Sequence, residues 1–201
     1  MSEIETVTPE TPAEQPANTN TGKNGKPKKS AKREALEWVL TIVAALAIAF
    51  VIRTFLFEPV RVDGGSMLET LQDGEIMFVT KFDYLGSNPD RFDVVICHYP
   101  NRGTTNFVKR VVGLPGDTVE IKGGYLYVNG EKYKESYIEH RPLSDFAAYT
   151  VPEGYYFVMG DNRANSHDSR AADVGPISRD QILGHVRSVL SPFNAWRNIE
   201  Y

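Results

Sequence analysis

The sequence has one cysteine, few histidines and no surplus of basic residues, and each shortage excludes a class of protein. Cys97 alone cannot form an intramolecular disulfide or build a multi-cysteine metal cluster. His98, His140 and His185 show no metal-ligand spacing, so we expect no metal and no cofactor. A formal net charge of -4 argues against a nucleic-acid partner. Because Cys97 lies in the apolar run VVIC, we expect it in the core.

Residues 1–34 are rich in Pro, Thr, Glu and Asn and contain almost no large apolar side chains. Such a segment cannot bury enough surface to offset the entropy lost on ordering, so we predict a disordered tail. A basic cluster without acidic residues lies near its end, and it consists of Lys23, Lys26, Lys28, Lys29, Lys32 and Arg33.

The run WVLTIVAALAIAFVIRTFLF, residues 38–57, contains a single charge, Arg53. Twenty helical residues span about 30 Å, the thickness of the hydrocarbon core of a bilayer. A signal-peptide apolar region is shorter and ends at a small-residue cleavage site, so we predict an uncleaved transmembrane anchor over residues 35–57. The preceding cations place the tail in the cytoplasm and residues 58–201 on the outer face of the membrane.

Residues 58–201 read as mainly β structure. Short runs rich in β-branched and aromatic residues, such as EIMFV, DVVICHY, FVKRVVGL, TVEI, YLYV, YYFVMG and ILGHVRSVL, are separated by Gly and Pro turns. No helix-length amphipathic pattern competes with them. The polar stretch 131–151 is predicted to be an irregular surface insertion.

Two stretches carry candidate catalytic groups. Ser66 follows two glycines in GGSMLETL, with no histidine nearby in the chain. In FVKRVVGLPGD, residues 107–117, strand alternation puts Lys109 on one face with Phe107 and Val111. Desolvation there would lower the pKa of the lysine and make it a competent general base. A lysine that snorkels from a half-exposed strand is the alternative reading of the same segment.

The stretch GDNRANSHDSR, residues 160–170, is dense in hydrogen-bonding side chains. Ser166, His167 and Asp168 are consecutive, whereas a Ser-His-Asp triad is assembled from distant segments, so these three residues do not predict one. The segment alone predicts a polar loop with an internal pair between Asp168 and Arg170.

The order of the anchor, SMLETL, DVVI, KRVVGLPGD and GDNRANSHDSR resembles the bacterial type I signal peptidases, over roughly residues 36–190. The resemblance implies a signal-peptidase-like β fold behind one transmembrane helix. It also implies a membrane-bound serine endopeptidase that cleaves N-terminal signal peptides from exported preproteins, with membrane lipid as its second partner. By position, Ser66 matches the nucleophile of the family and Lys109 the general base, which together form a Ser-Lys dyad.

The resemblance assigns supporting residues as well. Gly64 matches a position that often supplies a serine hydroxyl to the oxyanion hole, so a backbone or water donor must serve here. Ser166 matches a serine that hydrogen-bonds the lysine, and Asp168 and Arg170 match a supporting ion pair. Glu69 replaces the usual proline of the family, and we expect activity to survive. The substrates implied have small residues at the first and third positions before the cut.

Two alternatives belong to other classes. Self-cleaving repressors of the DNA-damage response share a Ser-Lys dyad on a related β fold, but they lack an anchor and carry a DNA-binding domain. A catalytically silent, membrane-anchored binding module of the same fold is the second alternative. The presence of both Ser66 and Lys109 disfavours it, whereas Glu69 is a departure that keeps it open.

Overall fold

Helix α1, Ala31–Val51, precedes the β structure in the computed structural model, which describes residues 31–52, 57–100 and 105–199. The helix is long and apolar enough to cross a membrane, and none of its residues is buried. It begins within the segment predicted to be disordered, so that prediction is wrong for residues 31–34. Ala, Lys, Arg and Glu favour a helix, and Glu34 in the first turn complements its dipole. Residues 1–30 and 53–56 lie outside the described residues.

The rest of the described chain is mainly β, as the sequence predicts. In chain order the strands are β1 (Phe57–Arg61), β2 (Ile76–Thr80), β3 (Val94–His98), β4 (Asn106–Gly113), β5 (Thr118–Lys122), β6 (Tyr125–Val128), β7 (Glu131–Lys132), β8 (Phe146–Thr150), β9 (Tyr155–Met159), β10 (Ile177–Ser178), β11 (Ile182–Ser191) and β12 (Arg197–Asn198). Three short 3-10 helices, Phe82–Tyr84, Arg179–Gln181 and Phe193–Ala195, lie among them in this described part.

The larger sheet has the strand order β1-β2-β11-β3-β4-β9-β10, with β12 paired to β11. Three strands separate β1 from β4 in this order, yet Val60 of β1 and Val108 of β4 line one pocket, so the sheet curls. Strand β4 pairs with β9 only from Arg110 onward. On that side, its first half has no strand partner among the described residues, which leaves a backbone edge open.

The smaller sheet, ordered β7-β6-β5-β8, corrects the prediction of an irregular insertion over residues 131–151. Strands β7 and β8 lie in this range, and β8 pairs with β5 along one edge. Phe146 and Tyr149 of β8 pack against a buried cluster that includes Phe157. The segment is largely exposed, as expected, but two apolar anchors within a polar stretch suffice for a strand.

Strand β3 shows how the larger sheet holds two cores. Val94 and Ile96 enter a cluster with Met67 and Leu71, whereas Val95 and Cys97 enter a second cluster on the other face. Cys97 is fully buried, which confirms the prediction for this residue, and burial raises the pKa of its thiol to about 12. Because both faces of the strand are covered, its neighbour β4 also carries side chains into closed surroundings.

Candidate active site

Ser66 lies in the tight turn that follows β1. Gly64 there has a φ of +91°, which residues with a side chain rarely adopt. Its N–H donates to Asp73 Oδ1 at 2.9 Å. Immediately after the serine, the buried side chains of Met67 and Leu71 hold the turn on the first core cluster. The glycine and these two apolar anchors together fix the position of the serine.

Lys109 projects from β4 toward this turn. Its Nζ lies 2.7 Å from Ser66 Oγ and 2.9 Å from the Val108 carbonyl oxygen. The residue is only 3% exposed, so the alternative reading of a snorkelling lysine is wrong. The ring centroid of Phe107 lies 5.0 Å from Nζ on the same side of the strand. The structure therefore brings together two residues that are 43 positions apart in the sequence.

The electrostatic surroundings favour a neutral amine. Burial lowers the pKa of Lys109 from 10.5 to about 8, although the negative charge of Asp168 opposes this shift. In the described part of the chain, no carboxylate forms an ion pair with the amine. At pH 7 a pKa of about 8 leaves about a tenth of the lysine neutral and able to accept a proton.

The Asp168 carboxylate is itself neutralised by Arg170. Arg170 Nε donates to one carboxylate oxygen at 2.8 Å and a terminal nitrogen donates to the other at 2.8 Å, while the Gly160 N–H adds a third bond. Burial raises the pKa of Asp168, but the adjacent guanidinium outweighs burial and holds that pKa below its usual range. The pair can therefore shape the site while keeping a direct counterion away from Lys109.

The structure does not contain the hydrogen bond expected between Ser166 and Lys109. The amine instead contacts Ser66 and the carbonyl of its own strand. Ser166 still adjoins Ser66, because a Cβ on Gly160 would clash with both Ser166 Oγ and the Ser66 carbonyl oxygen. Only glycine fits between them. His167 is exposed and contacts Asp173.

Two groups near Ser66 bear on where an oxyanion could bind. The Gly64 N–H is already bonded to Asp73, which argues against Gly64 as a backbone donor. The Ser66 N–H has no acceptor among the described residues. An oxyanion formed at Ser66 could therefore accept a hydrogen bond from this N–H.

Sequence reasoning missed Asn162, which ties the polar loop to the serine turn. Its side-chain amide donates to the Gly65 carbonyl at 2.9 Å, and its backbone N–H donates to the Ser66 carbonyl at 3.1 Å. No local sequence pattern predicts such contacts, because the partners are 97 positions apart.

It also missed the ion pair between Arg110 and Asp161. Arg110 Nε and a terminal nitrogen donate to Asp161 at 2.9 and 2.7 Å, and both side chains are buried. Thr70, four residues after Ser66, donates to the same carboxylate at 2.5 Å. A signal was available, because an arginine flanked by valines on a buried strand needs an acidic partner.

A pocket of about 110 Å³ opens beside Ser66. Its volume suits a small side chain, and its apolar lining comes chiefly from Val60, Val62, Met67, Ile96 and Val108. Elsewhere in the described residues, Glu69, Glu139 and His140 bring possible metal-ligand atoms within 4.8 Å of one another. All three are exposed, and such groups are common on surfaces without an ion.

Comparison with known proteins identifies relatives over most of the chain. The model of the family described as signal peptidase, peptidase S26, matches residues 35–191. Signal peptidase I T of Bacillus subtilis (strain 168) is 44% identical over 191 residues, which cover 90% of this chain and 96% of the relative. Signal peptidase I of Bacillus amyloliquefaciens is 44% identical over 183 residues, covering 84% and 93%.

Among solved structures, a signal peptidase I from Enterococcus faecalis V583 is 33% identical. It covers 50% of this chain and 97% of its own length, with a TM-score of 0.43. The matched family segment runs from helix α1 into β11 and includes the serine turn, the lysine strand and the polar loop. The chain belongs to the signal peptidase family, peptidase S26.

Proposed function

We propose that this signal peptidase cleaves N-terminal signal peptides from exported preproteins with Ser66 as nucleophile and Lys109 as general base. The observation that carries the assignment is the 2.7 Å separation of Lys109 Nζ and Ser66 Oγ in a buried setting. A lysine is useful as a base only when it is neutral, and a pKa of about 8 permits that near neutral pH.

The reaction then proceeds in two stages. Neutral Lys109 takes the hydroxyl proton while Ser66 Oγ attacks the scissile carbonyl, and the oxyanion accepts a hydrogen bond from the Ser66 N–H. The Lys109 ammonium returns the proton to the leaving amine, which departs with the mature protein. The neutral amine then takes a proton from water, which attacks the acyl-enzyme carbonyl, and returns that proton to Ser66 Oγ as the signal peptide departs with a free carboxylate.

The pocket beside Ser66 matches this class of substrate. Its volume of about 110 Å³ admits small side chains at the first and third positions before the cut. Signal peptides end in small residues at their cleavage site, after an apolar segment. The neighbouring Asn162 and the Asp168–Arg170 pair support the site without touching the reacting atoms.

The placement in the membrane forms part of the proposal. The apolar run of helix α1 anchors the chain as a single pass, residues 1–34 lie in the cytoplasm, and residues 58–201 form a catalytic domain on the outer face, as the basic cluster before that run implies. Protease added to intact, wall-stripped cells should digest the C-terminal domain and spare an N-terminal tag. A protected C-terminal domain would reverse the orientation.

The dyad is tested by substitution in the full-length protein in detergent. Ser66→Ala and Lys109→Ala should each abolish processing of a preprotein, and the double variant should be no worse, because the two residues act as a unit. Lys109→Arg should also be inactive, since a guanidinium stays protonated. Lys122→Ala, which removes an exposed strand lysine, is the matched control and should retain full activity.

Two results would contradict these assignments. Appreciable turnover by Lys109→Arg would exclude the lysine as the base. A wild-type protein that binds the preprotein but yields no product with the mature N-terminus, by N-terminal sequencing, would favour a silent binding module instead.

A further inference from the structure

A second cavity, of about 180 Å³, lies in the described β structure and has no part in the mechanism above. Its walls are apolar, and an ion pair between Glu58 and Lys81, with a nitrogen-oxygen distance of 2.7 Å, stands among the lining residues. The apolar walls come from four strands of the larger sheet through Val60, Val79, Ile96 and Leu183.

This cavity adjoins the pocket beside Ser66. Val60, Ile96 and Asn106 line both, so a common wall is all that separates them. The lining residues follow the order of the chain: Val62, just after β1, lines only the first pocket, whereas within β1 Val60 lines both and Glu58 lines only the second. The second cavity therefore lies farther from the serine along the same strand.

The spacing matches that of an extended substrate. Side chains of an extended chain alternate, and each residue advances it by about 3.3 Å, so every second side chain meets the same surface. Glu58 and Val60, which are alternate residues of β1, line the second cavity with the same period. If the first and third residues before the cut occupy the pocket at Ser66, the fifth faces the next cavity. The open edge of β4 at Asn106 can hydrogen-bond a peptide in that conformation.

We propose that the second cavity is a substrate subsite that binds an apolar side chain at the fifth residue before the cleavage site. The proposal rests on the proposed function, because it assumes that the first pocket receives the small residues next to the cut. The carboxylate of Glu58 is already paired with Lys81, so a substrate charge would be desolvated there without a free partner. A leucine side chain gains from the same apolar walls.

The test is a peptide series cleaved by the full-length protein in detergent. Peptides that share one cleavage site carry Leu, Ala or Asp at the fifth residue before it, and a matched set carries the same changes at the sixth. We expect kcat/KM for Leu over Ala to differ by about tenfold at the fifth residue and by less than about twofold at the sixth, with Asp the poorest at the fifth. Equal ratios at both positions would overturn the subsite.

A pair of variants locates the effect. Leu183→Trp fills the cavity and should reduce the Leu-over-Ala ratio at the fifth residue to about one or two. Leu143→Trp, a change at an exposed leucine that does not line either pocket, should leave the ratio unchanged. A ratio unaffected by Leu183→Trp would overturn the location.

The same series separates this proposal from the proposed function. Cleavage of every peptide without a preference at the fifth residue would refute the proposed subsite but leave the Ser66–Lys109 assignment intact. Failure of the wild-type protein to cleave any peptide would overturn both. The wild-type series alone is decisive should Leu183→Trp prove unfolded by circular dichroism.

Discussion

The rate of cleavage should follow the titration of Lys109. In the proposed mechanism only the neutral amine accepts the Ser66 proton, so kcat/KM should rise with pH and level off above the folded pKa of about 8. The neutral fraction is about a tenth at pH 7 and about a half at pH 8, so the rate should increase about fivefold over that interval. Between pH 9 and pH 10 it should change by less than about a fifth.

Asp168→Asn should move this rising limb to lower pH. The Asp168 carboxylate raises the pKa of Lys109, and its removal also leaves the Arg170 charge, which lowers that pKa, without its counterion. Asn can still accept the bond from the Gly160 N–H. Asp173→Asn, which changes an exposed carboxylate a few residues farther along, is the control and should leave the limb in place.

The assay is a pH series of kcat/KM for one fluorogenic signal-peptide substrate, with stability checked at each pH. The substrate must carry no group that titrates between pH 6 and pH 10. A wild-type limb near 10.5, the ordinary lysine value, would refute the desolvated base. A limb that moves upward in folded, active Asp168→Asn would refute the electrostatic account of its pKa.

Two further predictions concern the support of the site. Asp161→Ala leaves Arg110 buried without its partner and should lower the free energy of unfolding by about 3–5 kcal/mol, measured by urea denaturation; a loss below about 1 kcal/mol would argue that the pair contributes little. Gly160→Ala places a methyl group against Ser66 and Ser166 and should reduce kcat/KM by about 100-fold or more. Wild-type kinetics in this variant would show that the loop can move to accommodate the methyl group without disturbing the site.

Seven strands of the β structure could be predicted from the sequence because each is a compact run of β-branched and aromatic residues. The runs in β2, β3, β4, β5, β6, β9 and β11 all coincide with observed strands. Strand β1 was missed because its FEPVR sequence adjoins the apolar anchor and contains Pro59, which an edge strand tolerates. Strand β8 was missed because it is stabilised by its pairing with β5, and its own sequence carries no strand pattern.

The site was predictable to a smaller extent. Alternation along β4 correctly grouped Lys109 with Phe107, but the segment could not decide between a buried base and a snorkelling lysine. Burial depends on the curl of the sheet and on the polar loop that returns to the serine turn, and both are nonlocal. The contacts of Asn162 and Asp161 are nonlocal for the same reason, since each joins residues more than 50 positions apart.

Lys109 and Arg110 are adjacent cations on one strand, and the role proposed for the first is chemical whereas that of the second is structural. Both cations are buried, and they project to opposite faces of β4 because they are adjacent. Arg110 forms a bidentate ion pair with the Asp161 carboxylate. Because a guanidinium cannot lose its proton, it needs such a counterion when it is buried. Lys109 contacts a hydroxyl and a carbonyl instead, so the free-energy cost of burying its charge is removed when the amine loses its proton. A shift of register by one residue would give the carboxylate to the lysine and leave Ser66 facing a cation that cannot act as a base.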